Sequence, residues 1–431
     1  MIYKNMHLYC NENLESSFKD TYNCIKKKED MSFVEVEKGI VHKYILVDNY
    51  NDYGCVTDKD YNIIDDSCLY RGTGINCGRV HRKEVDLYID KEVIFLGLYF
   101  QHYGHELLDG CSRLWFINKN VDIKDYCYIS QTDKDDHFFI FNLLGLSSKN
   151  LIRVDKNIQF KKVIIPQASN NIYLSYSDEF NETFRKIGYN IEASKKKKIY
   201  LSRTKFNFPG MNTVGEKNIE YILKNNGFTI VYPELEKLET VISLMKGAEI
   251  VAGIAGSNMH NILFARDNII EYNLLRTNRV NLEQLIIDKM KNIQSYYIED
   301  FYEPIPPIRH YAIPYLICLT KYLEAFFIDE KIKYNKKELY DKFAYDFLDY
   351  FRNYSEIIFN DHLNEESKIS IEDLVHNLQL MFSYYDGEFL DLNKKRERYK
   401  KYIDMFLWWI PIRKIRYKMR GYFYNKIDKN K

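Results

Sequence analysis

The chain has 431 residues, of which 46% are hydrophobic and 29% charged, a composition typical of a globular protein with several domains. Its 62 lysines and arginines balance 61 acidic residues, which argues against a basic field over the whole protein and so against nucleic-acid binding. No run of 18 or more apolar residues is present, so we expect no membrane-spanning helix. The first residues show no secretory signal and the eight cysteines form no CxxC pair, so we expect a cytoplasmic protein with free thiols.

Residues 1–192 mix short apolar runs with turn signals, which predicts an α/β region. We expect strands at 44–47, 93–99, 126–130 and 162–166, and helices at 106–118 and 136–144. This region is the first of three that we distinguish, and we find no internal repeat among them.

Residues 193–300 show the clearest pattern in the chain, a regular alternation of strands and helices. The predicted strands are 199–202, 228–232, 250–253 and 268–273, and the predicted helices are 216–226, 238–246 and 258–265. An alternation of this kind is typical of a parallel, Rossmann-like sheet.

Residues 301–431 begin with a proline-rich boundary and are predicted to be mostly helical. Their last part, 394–431, holds 14 lysines and arginines against three acids, and includes Trp408 and Trp409. Tryptophan beside basic residues suits an anionic membrane surface. Two alternatives stay open: a helix that docks on the protein itself through the tryptophans, and, less favoured, a nucleic-acid-binding tail.

A turn of small residues follows the predicted strand 250–253 and precedes a predicted helix. It contains Gly253, Gly256, Ser257 and Asn258, and its backbone N–H groups could receive an anion such as a diphosphate. The spacing is neither the dinucleotide fingerprint nor a Walker A loop. The alternative interpretation is a plain tight turn in which serine or asparagine caps the helix.

The stretch from 199 to 271 resembles the core of glycosyltransferase family 61. The residues that carry the resemblance are Ser202, Arg203, Glu216, Gly227, Phe228, Pro233, Glu234, Gly253, Gly256, Asn261, Ile262, Leu263, Phe264 and Glu271. An upstream segment, 101–109, resembles the family's Asn-Tyr-x-His-x-x-x-Asp/Glu segment, with His102 in place of the asparagine. Two departures stand in the turn: Ala255 replaces the family's histidine, and Ser257 replaces its alanine.

The resemblance implies an α/β, GT-B-like architecture in which two Rossmann-like domains face a cleft. Residues 1–192 would form the acceptor side, 193–300 would bind a nucleotide-diphosphate sugar, and 301–431 would be a helical C-terminal region. The implied activity is inverting transfer of a hexose or pentose to a surface-glycan or lipid-linked glycan acceptor. Such a reaction suits bacterial capsular polysaccharide synthesis at the inner face of the plasma membrane. Two alternatives stay open: a non-catalytic nucleotide- or sugar-binding module, and another nucleotide-dependent enzyme with a Rossmann-like sheet.

The candidate catalytic pair is His105 and Asp109, four residues apart and therefore stacked on one face of a helix. A carboxylate beside an imidazole can fix its tautomer and raise its basicity, so His105 could take the proton of the acceptor hydroxyl. His102, His260 and Asp109 itself are the next candidates for that base.

Donor binding is predicted at the carboxyl ends of the 193–300 strands. Arg203, with Lys205 near it, could stabilise the leaving diphosphate in place of a metal ion. The other candidate donor-binding residues are Gly253, Gly256, Ser257, Asn258, His260, Asn261 and Glu271. We expect no metal and no other cofactor. The two Asp-x-Asp sequences, Asp58-Lys59-Asp60 and Asp133-Lys134-Asp135, lie outside the donor segment and are interpreted as solvated turns.

Overall fold

The computed structural model describes residues 5–47, 52–100, 102–118, 123–131, 138–206, 212–302 and 314–346, with 349–350, 400, 403–404, 407 and 416–423. Two larger sheets, one of six strands and one of seven, dominate these residues, and three small sheets of three strands accompany them. We call the larger sheets the six-stranded and the seven-stranded sheet.

The six-stranded sheet is parallel throughout, as the 193–300 pattern predicts. From one edge to the other its strands are Met6–Tyr9, Gln294–Glu299, Ile270–Leu275, Ile250–Ile254, Lys198–Leu201 and Thr229–Val231. All four predicted strands are present. The edge strand comes from the chain's first residues, so residues 6–9 belong to this sheet although they lie within the predicted 1–192 region.

The order of these strands places a topological switch beside Lys198–Leu201. The chain moves from this strand to Thr229–Val231 on one side, and then returns to Ile250–Ile254 on its other side. In open α/β sheets, ligands bind in the crevice that opens at the carboxyl ends of strands at such a switch. Arg203 and Gly256 both follow these carboxyl ends directly.

Helices cover both faces of the six-stranded sheet, and two of the three predicted ones are confirmed. They are Glu216–Asn225 and Leu238–Gly247. Two further helices, Glu12–Cys24 and Leu282–Lys291, also belong to this part of the fold. The third prediction, an α-helix at 258–265, is wrong. The segment forms a six-residue 3-10 helix, Met259–Phe264, in which all six residues are buried, so packing on every side shapes it instead of one amphipathic face.

The seven-stranded sheet is mixed, with a parallel core of four strands. The core strands in spatial order are Leu151–Arg153, Asp125–Ser130, Leu87–Tyr99 and Ile158–Pro166. The antiparallel strands are Phe33–Glu37, Ile40–Val41 and Val56–Thr57. A second topological switch therefore lies between Leu87–Tyr99 and Ile158–Pro166, and residues 102–109 follow the carboxyl end of the first of these strands.

Three of the four strands predicted in this region are confirmed, and the strand at 44–47 is wrong. Ile45 forms only an isolated bridge with Tyr53. The predicted helix 106–118 divides into an α-helix, Tyr103–Leu108, and a 3-10 helix, Gly110–Asn118, because Gly110 weakens the α-helical continuation. The predicted helix 136–144 is shorter and spans Phe138–Leu143.

The largest cluster of buried apolar side chains joins the two sheets. Ile94 and Leu96 of the seven-stranded sheet and Ile199 and Val251 of the six-stranded sheet all belong to it. The helix Asp178–Ile187 contributes its buried phenylalanines to the same cluster. This shared core holds the carboxyl ends of both sheets at fixed positions.

Two of the small sheets contain residues that belong to the candidate active site described below. One contains Asp52–Tyr53, Gly74–Arg79 and Leu69–Arg71, and the other contains Thr213–Val214, Tyr315–Ile317 and Phe301–Tyr302. The third is formed by Asn170–Asn171, Ser175–Ser177 and Lys26–Lys28. The C-terminal region, predicted to be helical, thus also contributes two short strands before its helix Lys321–Asp329.

The basic tail can be compared with the structure only in part. Trp408, Trp409 and most of 394–431 lie outside the described residues, as do the three prolines predicted to mark the boundary. Within the described residues, no helix is long and apolar enough to cross a membrane. All eight cysteines lie in the described part of the chain and carry free thiols.

Candidate active site

A pocket of about 550 Å³ opens at the carboxyl ends of the six-stranded sheet, where it meets the start of the helix Tyr103–Leu108. Its walls are formed by His102, Tyr103, Arg203, Phe206, Pro233, Glu234, Glu236, Leu238, Val241, Ser257, Asn258, Asn261, Arg276 and Tyr315. The pocket is therefore lined by residues that follow both topological switches, one in each of the two large sheets.

Two arginines converge on Gly256 in the wall of this pocket. A Cβ atom built on Gly256 would lie 3.1 Å from Nη2 of Arg276 and 3.5 Å from Nη1 of Arg203. Gly256 has a φ of +151°, which also favours glycine. The two guanidiniums lie over aromatic rings, Arg203 over Phe206 at 4.8 Å and Arg276 over Tyr315 at 4.3 Å. They form a cationic wall that matches a diphosphate.

The sequence analysis missed Arg276, although a usable signal exists. Arg276 directly follows the strand Ile270–Leu275, just as Arg203 follows a strand two positions to the side in the same sheet. An arginine at the carboxyl end of a parallel strand reaches the ligand-binding edge. Lys205, by contrast, is exposed, lies over the ring of Tyr232 at 5.8 Å and does not line the pocket.

Glu216 holds the loop that carries Arg203. Its Oε1 accepts the backbone N–H of Arg203 at 2.7 Å and the hydroxyl of Tyr200 at 3.2 Å. Burial raises the pKa of Glu216 to about 7, and the hydrogen bond from Arg203 opposes that rise. Burial also lowers the pKa of Arg203, although the guanidinium stays charged at neutral pH. Glu216, one of the residues that carry the family resemblance, thus fixes the backbone position of Arg203.

Asn258 does not act as the predicted helix cap. Its backbone is helical, no side-chain capping bond is made, and its Nδ2 instead donates to the carbonyl of Leu201 at 3.1 Å. Its Oδ1 is buried and has no hydrogen-bond partner among the described residues. Because the helix that follows is a short 3-10 helix, the arginines and not a helix dipole supply the positive field of the pocket.

The upstream segment 102–109 packs directly on the turn 253–261, as their common resemblance implies. Gly104 makes this approach possible, because a Cβ there would lie 3.0 Å from Cβ of Ser257 and 3.2 Å from Cδ2 of His260. The hydroxyl of Tyr103 donates to Oδ1 of Asn261 at 2.6 Å, across 158 residues of sequence. The side chains of both switch points therefore meet in one site.

The predicted contact between His105 and Asp109 is present. Nδ1 of His105 lies 3.1 Å from Oδ2 of Asp109, whose side chain is 2% exposed. Nη2 of Arg71, which the sequence analysis did not single out, lies 3.1 Å from the same Nδ1 and 3.3 Å from the same Oδ2. The ring of His102 is 5.3 Å from that of His105 and borders the pocket. Burial, followed by the neighbouring imidazoles and guanidiniums, lowers the pKa of His102.

His260 lies in a buried polar chain that determines its tautomer. Nε2 of Gln284 donates to Glu271 at 3.2 Å and to Asp288 at 3.3 Å, so Oε1 of Gln284 faces Nδ1 of His260 at 3.1 Å. Nδ1 of His260 must then carry the proton, and burial lowers the pKa of this imidazole. Neutral His260 therefore presents a lone pair at Nε2.

Glu271 belongs to this buried chain and does not reach the pocket. Its side chain is fully buried, and Asn273 donates to Oε1 at 3.0 Å. Burial, and then the neighbouring Asp288, raise the pKa of Glu271 well above its ordinary value. The donor-binding role predicted for Glu271 is thus unsupported by its position, since the strand turns the side chain into the core.

The structure shows no group of three or more His, Cys, Asp or Glu side chains that could hold a metal ion among the residues it describes. Asp58 caps its own turn, where Oδ1 accepts the N–H groups of Asp60 and Asn62. Asp133 and Asp135 lie outside the described residues.

These observations define a class: an α/β protein with a pocket where the switch points of two sheets with parallel cores meet. The pocket is lined by two arginines and by the imidazole of His102. Residues 103–270 match the family model described as Glycosyltransferase 61. The matched segment contains His105, Asp109, Arg203, Gly256 and His260, so the resemblance to glycosyltransferase family 61 is confirmed over this segment. The match supports glycosyl transfer as the general activity. No curated protein matches the chain significantly.

Proposed function

We propose that this protein transfers a hexose or pentose from a nucleotide-diphosphate sugar to a glycan acceptor, with inversion at the anomeric carbon. The observation that carries the proposal is the convergence of Arg203 and Arg276 on Gly256 in a pocket that His102 also lines, with the ring of His105 5.3 Å behind that of His102 and outside the pocket lining. A GT-B-like arrangement, with donor and acceptor on opposite sides of a cleft, agrees with a pocket drawn from two sheets.

The cationic wall would act on the leaving group. As the bond between the anomeric carbon and the diphosphate oxygen breaks, negative charge grows on that oxygen, and the nucleoside diphosphate leaves with the electron pair. Two guanidiniums within a partly dry pocket stabilise this charge by preorganised electrostatics. On this basis we propose that transfer needs no metal ion.

The imidazole side would act on the acceptor. The acceptor hydroxyl attacks the anomeric carbon and gives its proton to His105, so one C–O bond forms as the other breaks. A base in this position typically contributes about 10²–10⁴-fold to the rate. The carboxylates of Glu234 and Glu236 in the pocket wall suit hydrogen bonds from sugar or ribose hydroxyl groups.

The test uses the full chain and a panel of nucleotide-diphosphate sugars in a thermal-unfolding assay. A ligand at 100 times its dissociation constant stabilises the folded protein by about 2.7 kcal/mol. Nucleotide monophosphates, which lack the diphosphate, should stabilise it much less. The best donor is then incubated without acceptor, where slow release of free sugar indicates an enzyme. Tight binding with no hydrolysis and no transfer would instead favour a non-catalytic binding module, as the replacement of the family's histidine by Ala255 allows.

We further propose that the basic tail, 394–431, binds anionic lipid at the cytoplasmic membrane surface, where a lipid-linked glycan acceptor of capsular polysaccharide synthesis would be found. The support is its excess of lysine and arginine and its tryptophan pair. The truncated protein should remain folded and no longer sediment with anionic liposomes. If the full chain ignores such liposomes at low salt, the tail has no membrane role.

A further inference from the structure

Arg71 lies outside the segment that matches the family, yet it contacts both members of the candidate catalytic pair. Nη2 of Arg71, Nδ1 of His105 and Oδ2 of Asp109 form a triangle with sides of 3.1, 3.1 and 3.3 Å. A guanidinium only donates hydrogen bonds and a carboxylate only accepts them. Nδ1 therefore either carries a proton for Asp109 or offers a lone pair to Arg71.

The charges around the triangle favour a proton on Nδ1. With this proton in place, His105 and Arg71 both donate to Oδ2 of the buried Asp109. Without it, the lone pair of Nδ1 would face a carboxylate oxygen at 3.1 Å, a contact between two acceptors. With it, Nδ1 and Nη2 of Arg71 are two donors 3.1 Å apart that share Oδ2 of Asp109 as their common acceptor. Arg71 also offsets the charge of Asp109. The second ring nitrogen, Nε2, is then a lone pair ready to accept a proton.

We propose that Arg71 is a positioning residue for glycosyl transfer, which holds Asp109 so that His105 is protonated at Nδ1 and accepts the acceptor's proton at Nε2. The inference rests on the function proposed above. It assigns Arg71 no contact with substrate: the guanidinium acts through Asp109 and His105.

Hydrogen bonds hold the backbone on both sides of the strand Leu69–Arg71, so the guanidinium of Arg71 is in place before any ligand binds. The N–H of Gly72 donates to the carbonyl of Ile172 at 2.7 Å. The fully buried Arg113 donates to the carbonyl of Cys68 at 3.1 Å and to that of Pro166 at 3.1 Å. The guanidinium of Arg71 lies 5.4 Å from the centre of the Phe100 ring, which also contacts His105. Arg113, which lies within the matched segment 103–270, thus fixes the backbone from which Arg71 reaches the site.

Other titratable groups face this triangle from the elements packed around it. They are His102 on the same segment, His260 on the 3-10 helix, Tyr173 on the turn between two short strands, and Glu283 at the start of Leu282–Lys291, which neighbours His260 and Tyr173. Burial and Glu283 raise the pKa of Tyr173 to about 12, so its phenol is neutral at physiological pH. The buried Arg113 is a second cation whose charge acts on Asp109, but Arg71 is the one that contacts both Asp109 and His105.

The first experiment reads the tautomer directly and needs no substrate. The full chain is labelled with ¹⁵N-histidine, and the His105 signals are assigned by comparison with His105→Gln. At neutral pH we expect Nδ1 to be protonated and Nε2 unprotonated. A proton on Nε2 and none on Nδ1 would mean that Arg71 donates to the imidazole, and the proposal would be overturned whether or not the protein transfers sugar.

The second experiment measures transfer as a function of pH for Arg71→Met and Arg71→Lys. Loss of this cation lowers the positive charge around Asp109, so the acidic limb of the rate profile should move to higher pH. Arg71→Lys should keep the limb near its original position. A uniform loss of rate at every pH, with the limb unmoved, would reduce Arg71 to a structural role.

Folding and function are controlled separately. If Arg71→Met does not fold, as judged by its thermal unfolding, Arg71→Lys and the tautomer measurement on the parent protein still decide the proposal. If the parent protein transfers no sugar from any donor, the proposed function fails, while the tautomer measurement still reports on Arg71.

Discussion

The carboxyl ends of the two large sheets form the two sides of one site, but they are built in different ways. On the six-stranded side, Arg203, Gly256 and Arg276 each follow a strand within a few residues. On the seven-stranded side, His105 and Asp109 follow a strand in the same manner, yet their third partner, Arg71, comes from a hairpin that ends before that strand begins.

In the proposed function, the six-stranded side would bind the donor and the seven-stranded side would accept the proton of the acceptor. The six-stranded side presents two permanent cations, Arg203 and Arg276, whose effect on the proposed diphosphate would depend on distance and hardly on pH. On the seven-stranded side, a carboxylate and a guanidinium contact the same nitrogen of the imidazole proposed as the base. We therefore expect substitutions on the first side to change donor affinity, and substitutions on the second side to change turnover.

The largest effect should come from removing the imidazole of His105. His105→Ala should lower transfer by about 10²–10⁴-fold, because the acceptor proton loses its base, while donor affinity stays nearly unchanged. Initial rates and donor titration measure the two quantities. The matched control is His81→Ala. His81 is exposed and follows the strand Gly74–Arg79. Transfer at the parent rate in His105→Ala would move the base elsewhere, with His260 and His102 next to test.

A smaller effect, on the other side of the comparison, should follow loss of either arginine. Arg203→Ala or Arg276→Ala removes a charge-assisted contact to the diphosphate, which is worth roughly 1.5–3 kcal/mol, or about 10–150-fold in donor affinity. Calorimetric titration with the donor checks this. The controls are exposed cations close by in sequence, Lys205→Ala and Arg279→Ala. Equal losses in the controls and in the pocket variants would indicate a general field and not a specific clamp.

The third prediction concerns Glu216 beneath Arg203. Its pKa is about 7 in the folded protein and 4.5 when unfolded, so the folded state binds the extra proton between these values. The stability that this proton contributes is fully present below pH 4.5 and is lost as pH rises through 7. Between pH 5 and pH 7.5 the loss is about 2 kcal/mol, from the two pKa values. Glu216→Gln should lose this pH dependence in denaturant unfolding, and an unchanged slope would place the titration in another group.

The smallest expected effect is that of metal removal. Because two guanidiniums face the leaving group, transfer should persist in excess EDTA at close to its original rate. Complete loss of activity, restored by Mn²⁺ or Mg²⁺, would show that the cationic wall does not suffice. It would direct attention to the carboxylates of the pocket wall and to Asp133 and Asp135.

Much of the six-stranded side was predictable because its signals are local. Apolar strands ending at Arg203 and Gly256, separated by helices of the right period, indicate a parallel sheet, and a parallel sheet brings its carboxyl ends to one edge. The same reasoning did not reach Arg276, since no motif marked it. It placed Glu271 in the site although the alternation of side chains along the strand turns that residue inward.

The other side was predictable only up to the contact between His105 and Asp109, which one helical turn brings together. No sequence spacing relates Arg71 to that pair, or Gln284 to His260, because each contact depends on where a distant hairpin or helix packs.

The sequence by itself determined the parallel sheet, the small-residue turn and the stacking of His105 on Asp109, because hydrophobic periodicity and helix geometry act over a few residues. Tertiary structure decided that Arg203 and Arg276 converge on Gly256 and that Arg71 contacts Asp109. It also decided which nitrogen of His260 carries the proton. Those outcomes depend on burial and on contacts between residues far apart in the chain, where the cost of leaving a charge or a hydrogen-bonding group without a partner selects the arrangement.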